Sequence, residues 1–467
     1  MMRRFGEQDQ ERFARLSGDW NPMHMDPVAA RRTQAGAPVV HGVHLTLWTL
    51  DTLIRDGVVT GPVASVQAVF NKFVYLDTPV EIRGGHVSDD VIEAIVSAAG
   101  VDTTTVTIRL GAPHPTEAGA MDRPVVTTQG KLANVPELTA MAGSAGWMDP
   151  EGQEDMFPHA ERVLGAHRVR AIALTSRLVG MLYPGLHSVF GSLEVAVVPE
   201  RPRPGLGFHV GMANVRTRLL RMSVAGSGIA GTVIAFARRD AVAQPSMAEV
   251  APLVEAGSFV GATALVTGGS RGLGALTARI LAAGGARVIV TYALGRSDAN
   301  ALIDEINGFV GSPIASALRY DMMDGAVPLV DGVTHLYHFA SPRIYRQKAA
   351  LFDAGVFAEF TRAYLGSFHD LCCALPGLRV AFYPSSVFVE PGRPRDMTEY
   401  AMVKAAGEIL CEEMNATEGF PMVVSRRLPR MLTDQTATLA RVATDDALTT
   451  MLPVVRDVQA ATSGVPA

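Results

Sequence analysis

Cysteine is scarce: Cys372, Cys373 and Cys411 are the three in 467 residues. All fall in the last third, at spacings that match no zinc site, and they read as small buried apolar residues. Nothing points to disulfides, so a reducing compartment is expected. Long apolar runs are also lacking. The longest, near 224–237 and 288–294, are too short to cross a bilayer, so no membrane partner is expected. Charge of one sign is not in excess: a net charge of −5 gives no general attraction to nucleic acid. The opening Met1-Met2-Arg3-Arg4-Phe5-Gly6 has no apolar core after its arginines and does not read as a signal peptide, so a cytoplasmic protein is expected. What is present is an ordinary globular composition, long enough for two or three domains that each bury a core.

The stretch Thr267-Gly268-Gly269-Ser270-Arg271-Gly272-Leu273-Gly274 follows a short apolar strand and opens a helix. Gly268, Gly272 and Gly274 stand where a backbone must approach a ligand closely. The helix start aims free N–H groups and a positive dipole end at phosphates. Far downstream, Tyr400 and Lys404 lie four apart, on one helix face, with Ser385 and Ser386 shortly before them.

Together these residues resemble the short-chain dehydrogenase/reductase family, with its Thr-Gly-x-x-x-Gly-x-Gly turn, its serine and its Tyr-x-x-x-Lys. The resemblance covers roughly 259–467 and implies a Rossmann-type, doubly wound parallel α/β sheet. It implies a nucleotide held by Thr267, Gly268, Ser270, Arg271, Gly272, Leu273 and Gly274, with Asp321 and Met322 near the adenine. It further implies that Ala340, after the next strand, contacts the cofactor and that Thr433 lies on the nicotinamide side. Ser386 would orient the substrate carbonyl and Tyr400 would protonate its oxygen. The Lys404 ammonium is expected to favour the phenolate and lower the tyrosine pKa from about 10. The second strand ends without an acid until Asp298, where a ribose-binding carboxylate would select NAD. Arg271, with Arg296, could instead pair a 2′-phosphate, so NADPH is expected. Two positions depart from the family: Ser341 stands for a glycine, and Tyr364 for the asparagine that holds a relay water.

Near the other end lies Ser17-Gly18-Asp19-Trp20-Asn21-Pro22-Met23-His24, followed by His41-Gly42. The Asn-Pro turn can set Asp19 and His24 side by side on a loop. Removing water from a 3-hydroxyacyl thioester needs a base for a weakly acidic C–H and an acid for the leaving hydroxyl, work that one carboxylate and one imidazole can divide. This stretch resembles the MaoC-like (R)-specific enoyl hydratases. That implies an α+β hot-dog fold, a long helix wrapped by a curved antiparallel sheet. It also implies Asp19 and His24 as the acid/base pair, and the Gly42 amide as donor to the thioester oxygen. Asp19, His24, His41 and His44 could alternatively be metal ligands, though their spacing fits no helix-borne pair and no metal is expected. The motif could also survive as scaffold alone. His44 reads as a core histidine.

A helix-then-strand pattern recurs: 45–54 and 64–73, then 169–180 and 188–198, each with a Gly/Pro break between. This predicts a tandem double hot-dog: a catalytic copy over 1–136 and a non-catalytic copy over 137–240 that pairs with it sheet to sheet. A linker is expected at 241–258, and the reductase over 259–467. Two chemically consecutive halves imply a bifunctional enzyme: an NADPH-dependent 3-oxoacyl-thioester reductase and a (3R)-hydroxyacyl-thioester dehydratase, as in fatty-acid or polyketide assembly. Its thioester carrier would be an acyl carrier protein or coenzyme A. Arg426, Arg427 and Arg430 could meet an acidic carrier. Both families usually self-associate, so a homodimer is expected. The alternatives are a reductase alone, with the hot-dog copies as a dimerisation or substrate-binding platform, and a non-catalytic acyl-binding module of a larger assembly.

Overall fold

A computed structural model describes residues 2–113, 142–145 (backbone only), 155–199, 205–325, 327, 330–437 and 442–462. A last strand of the first copy, which the sequence also predicts over 125–132, lies outside them. The chain divides into two compact units, Met1–Asp240 and Ala241–Ala467.

The first unit opens with β1 (Met2–Arg3) and α1 (Glu7–Ser17). After the motif loop comes α2 (Gly42–Arg55), apolar on almost every side, with Val43, Leu45, Leu47, Leu50 and Leu53 buried. A helix of that composition must be surrounded. The strands β2 (Val63–Phe70), β3 (Val80–Ser88), β4 (Val91–Ala98) and β5 (Val101–Leu110) supply the wrapping sheet. After β6 (Ala142–Ala145) the plan repeats as α3 (Ala166–Arg177), β7 (Ser188–Val197), β8 (Leu206–Asn214), β9 (Leu219–Gly226) and β10 (Ile229–Ala237). The repeat reaches its turns. Ala99-Gly100 joins β4 to β5 and Ser227-Gly228 joins β9 to β10, all four residues at positive φ, as two-residue hairpins require.

The two copies do not stack sheet on sheet as expected. Their strands run in one ten-stranded sheet, β1-β3-β4-β5-β2-β7-β10-β9-β8-β6, which reads the same outward from its middle. β2 and β7 pair antiparallel from Ser65↔Ala196 to Val69↔Ser192. Edge pairing satisfies two rows of backbone groups that would otherwise be open. One apolar core, with residues of α2 and α3 both in it, then runs through the two copies.

The second unit holds a six-stranded, all-parallel sheet: β11 (Thr263–Thr267), β12 (Arg287–Tyr292), β13 (Ala315–Arg319), β14 (His335–His338), β15 (Val380–Ser386) and β16 (Met422–Leu428), in the order β13-β12-β11-β14-β15-β16. Every residue of β15 is buried, as expected of a strand covered on both faces. The order reverses between β11 and β14, where α/β sheets open a crevice for ligands. The helices that position the site are α4 (Gly272–Ala283), α5 (Arg296–Val310), α6 (Ala354–Thr361), α7 (Ser367–Ala374), α8 (Thr398–Ala416) and α9 (Ala447–Ala461). A π turn, Arg362–Gly366, joins α6 to α7.

The segment read as a linker is part of this unit. Met247–Val250 forms a helical turn whose start is closed by Ser246 and Glu249. Met247 and Val250, three apart on one face of that turn, are buried in the core, and Val254, extended after the next turn, joins them. Among the described residues no helix is long and apolar enough to cross a membrane.

Candidate active sites

The loop after α1 turns at Gly18, whose left-handed backbone (φ 76°) caps the helix. Asp19 follows, buried at 1 % exposure. Its Oδ1 accepts from the Asn21 amide at 3.1 Å, and its Oδ2 accepts from Ser176 Oγ at 2.6 Å. The Asn21 side chain accepts from Met23 N at 3.0 Å and donates to the Gly180 carbonyl at 2.8 Å. Asn21 and Pro22 thereby start a helical turn that swings His24 back towards Asp19.

His24 Nδ1 lies 2.7 Å from the Val39 carbonyl oxygen. An oxygen acceptor requires a proton on that nitrogen, so the neutral ring presents the lone pair of Nε2. His24 stacks on His41 with centroids 3.8 Å apart. His41 Nε2 is 3.1 Å from the Asp19 carbonyl oxygen and 3.9 Å from Oδ2. Burial drives all three groups towards neutral forms. It raises the Asp19 pKa, against the pull of His24 and the Ser176 hydrogen bond. It lowers that of His24 against the pull of Asp19, and that of His41 well below the usual imidazole value.

Gly42 is the first residue of α2, so its N–H has no acceptor within the helix. A Cβ there would meet the Phe70 ring at 2.8 Å, which explains the glycine.

Ligand atoms of Asp19, His24 and His41 do come within 4.8 Å of one another. Yet His24 and His41 each commit a ring nitrogen to a backbone carbonyl, and in His41 it is the nitrogen nearest the carboxylate. That arrangement suits proton transfer better than metal ligation. His44 is no part of the cluster; it lies among Phe5, Phe13 and Phe157.

In the second unit β11 ends at Thr267, whose Oγ1 is 2.9 Å from His338 Nδ1 and ties β11 to β14. Gly268 turns at φ 63°, and a Cβ there would lie 2.7 Å from Ala340 N. A Cβ on Gly274 would lie 2.5 Å from the Gly268 carbonyl oxygen. The turn through Ser270 then leads to Arg271, the residue before α4, with Gly272 and Leu273 opening the helix. This is a tight cradle at a helix N-terminus, the form that accepts a dinucleotide pyrophosphate. Arg271 donates to Asp434 Oδ2 at 3.0 Å, a partner not expected from the sequence. Arg296 begins α5 and is exposed. Asp321 Oδ1 caps the turn that follows β13 by accepting from Met323 N at 3.0 Å, while Met322 is buried in the core.

A cleft of about 150 Å³ lies beside the cradle, lined by Leu273, Ala340, Ser341, Tyr345, Tyr364, Ser386, Phe388, Tyr400, Lys404, Arg430 and Thr433. Ser385 is turned away: its hydroxyl donates to Glu408 at 2.5 Å. Ser386 shares the cleft with Tyr400, and its hydroxyl accepts from Phe388 N at 3.2 Å. Lys404 is buried at 2 % exposure, donates to the Pro384 carbonyl at 2.7 Å and sits 4.0 Å from the centre of the Tyr364 ring.

The expected lowering of the Tyr400 pKa is not found. Burial pushes it up to about 12 and brings Lys404 down to about 7. Two neighbours leaving water together both favour neutral forms, and the ammonium faces a carbonyl and ring faces rather than the phenol oxygen. The two departures from the family pattern meet: the Tyr364 hydroxyl is 2.6 Å from Ser341 Oγ. Arg426 and Arg427 are ion-paired with Asp457 and Glu408.

A family profile described as "MaoC like domain" matches residues 2–107, and one described as "short chain dehydrogenase" matches residues 262–330. The first unit carries a MaoC-like domain, the second a short-chain dehydrogenase domain. A protein of Zymoseptoria tritici named "Probable tetrahydroxynaphthalene reductase" is 46% identical over 112 residues, 24% of this chain and 41% of that protein. The "(R)-specific enoyl-CoA hydratase" of Aeromonas caviae is 44% identical over 45 residues, 10% of this chain and 34% of that one. The chain thus spans less than half of either curated relative. Solved structures similar to the dehydrogenase domain include a 3-oxoacyl (acyl-carrier-protein) reductase from Agrobacterium tumefaciens C58 with NADP bound. It is 27% identical over 38% of this chain and 73% of its own, with a TM-score of 0.32. A short chain dehydrogenase from Burkholderia cenocepacia J2315 in complex with NADP is 21% identical over 42% of this chain and 91% of its own, at 0.35.

Two contributors to the MaoC-like site were not legible in the sequence. Ser176 and Gly180 belong to the second copy and carry no motif. The recurrence of the helix pattern was the one hint that this stretch faces the first copy's loop.

Proposed function

We propose that the chain is a bifunctional enzyme. It reduces a 3-oxoacyl thioester with NADPH and removes water from the (3R)-hydroxyacyl product, the carrier being an acyl carrier protein or coenzyme A. The observation that supports this best is that one chain holds both the Asp19–His24 pair and the Ser386–Tyr400–Lys404 cluster.

In dehydration, His24 Nε2 takes the α-proton. The Gly42 amide donates to the thioester oxygen as it gains enolate charge. Asp19, whose burial favours the protonated acid, gives its proton to the departing hydroxyl, and water leaves. The pair ends as imidazolium and carboxylate, which is the state that starts hydration in reverse. Its apparent pKa values therefore belong to both residues.

In the dehydrogenase domain the glycine turn fits a dinucleotide because its backbone is free of Cβ atoms where side chains would collide. Thr267, Gly268, Ser270, Gly272, Leu273, Gly274 and Ala340 would hold it, with Asp321 and Met322 towards the adenine and Thr433 on the nicotinamide side. When bound, the cofactor supplies the reducing equivalent. The residues of the chain do the rest: Ser386 orients the carbonyl, Tyr400 protonates its oxygen, and Lys404 stabilises the phenolate left behind.

Supplying a 3-oxoacyl thioester with NADPH tests the reading. Loss of nicotinamide absorbance should be followed by formation of the enoyl thioester. Oxidation without enoyl product supports the reductase-only alternative, and neither signal supports a binding module. For the cofactor, Arg271→Ala should reduce the NADPH-over-NADH preference in kcat/KM by about tenfold or more, since charge-assisted pairs are the strong ones. An unchanged ratio removes Arg271 from that role.

A further inference from the structure

The first copy's carboxylate is gripped by the second copy. Ser176 lies in the last turn of α3, and its buried hydroxyl donates to Asp19 Oδ2 at 2.6 Å. The helix then widens into a π turn, Leu178–Leu182. This turn brings Gly180 so close that a Cβ would lie 2.4 Å from Asp19 Oδ1 and 2.7 Å from Oδ2. The Gly180 carbonyl also accepts from Asn21 Nδ2 at 2.8 Å. A π turn inside a helix commonly marks a functional site, and here all three contacts fall on the Asp-x-Asn stretch.

We propose that Ser176 is the positioning residue for Asp19, fixing which carboxylate oxygen faces the acyl substrate and holding that group ready for proton transfer, so that both copies build one dehydratase centre. The second copy is then not merely a structural partner. Because Oδ2 is held by Ser176 and Oδ1 by a backbone amide, the carboxyl cannot rotate freely, and its remaining lone pairs set the direction of proton transfer. The inference rests on the dehydratase reading of this site.

The other groups that bear on Asp19 are His24 and His41. Arg238, through its charge, bears on His24. None of them donates to Oδ2 as Ser176 does.

The experiment uses the full chain in the hydration direction, with an enoyl thioester, where Asp19 must be ionised to take a proton from water. Removing the hydroxyl in Ser176→Ala takes away a donor to the charged form. The acid limb of the kcat profile should then move up by about one to two pH units, and kcat should fall about 10- to 100-fold. Ser176→Thr, which restores a hydroxyl, should bring the limb back. Gly180→Ala forces the carboxylate to shift and should lose at least as much activity. An acid limb that stays in place in Ser176→Ala, whatever happens to kcat, overturns the inference, as does a fully active Gly180→Ala.

A wild-type chain that hydrates no enoyl thioester refutes the dehydratase reading instead. The positioning contact is then read without turnover, by carbonyl-labelled aspartate NMR. The Asp19 signal, assigned with Asp19→Asn, should titrate about one to two units higher in Ser176→Ala. Equal titration in the two chains overturns it.

Discussion

Asp19→Asn should lower dehydration and hydration by about a thousandfold while leaving ketone reduction by the same chain intact. The amide oxygen can still accept from the Asn21 amide at the Oδ1 position, and the amide NH2 at the Oδ2 position can donate to the Ser176 hydroxyl, which turns from donor to acceptor, so the geometry of the loop survives. What is lost is a proton that can be given and taken back. The same substitution should raise the melting temperature of the MaoC-like unit near neutral pH. Burial raises the folded-state pKa of Asp19 above its ordinary value of 3.8. At pH values above the raised pKa, the native state must hold a charge that the unfolded chain carries more easily, so stability falls as pH rises through that window. Asparagine removes this cost, and below about pH 4 the two chains should converge. Reaction assays in both directions and thermal unfolding at pH 4 and pH 7.5 read the two effects. A variant that is inactive and also less stable at neutral pH would mean that Asp19 holds the loop together rather than transferring protons. Greater stability on losing a functional group is the sign expected of a residue kept for chemistry.

Asp19 and His24 could be paired from the sequence because only four residues, an Asn-Pro turn among them, lie between the two, and local geometry settles the rest. Tyr400 and Lys404 could be paired for a similar reason, since one helical turn brings them together. The glycines of the nucleotide turn announce their positions by what they lack. The partners of these groups are another matter. Ser176 reaches Asp19 only because β2 and β7 pair edge to edge, which sets the end of α3 against a loop far away in the sequence. Asp434 meets Arg271 across a similar gap. Ser341 and Tyr364 each stood out as a departure. That they form a single hydrogen-bonded feature depends on where β14 ends and on the π turn after α6. The direction of the Tyr400 shift was misjudged because proximity in sequence says that an ammonium is near, but not what it points at. The supposed linker misled through its proline and polar residues, while Met247 and Val250 already carried a helical spacing.

Tyr400→Phe should abolish reduction, by about a thousandfold or more, with enoyl hydration unaffected. Phenylalanine keeps the ring contacts with Phe360, Tyr364 and Phe388. The loss therefore isolates the hydroxyl as the proton donor to the nascent alkoxide. The pH dependence follows from the two shifted groups. A phenol held at about 12 stays protonated across the working range and is always able to donate. Lys404, at about 7, changes charge within that range. Below that value its ammonium stabilises the phenolate formed on donation; above it that help is withdrawn. Reduction should therefore slow as pH rises through about 7, although the tyrosine has not ionised. Lys404→Met separates the two groups: its rate should be low and flat from pH 6 to about 10, because only the unionised phenol remains. A Lys404→Met profile that still falls near neutral pH would assign the transition to Tyr400 and restore the lowered phenol that sequence reasoning anticipated. The outcome turns on one geometric fact: the lysine nitrogen is directed at the Pro384 carbonyl and the face of Tyr364, so it acts on the tyrosine oxygen as a charge at a distance and not as a hydrogen-bond partner.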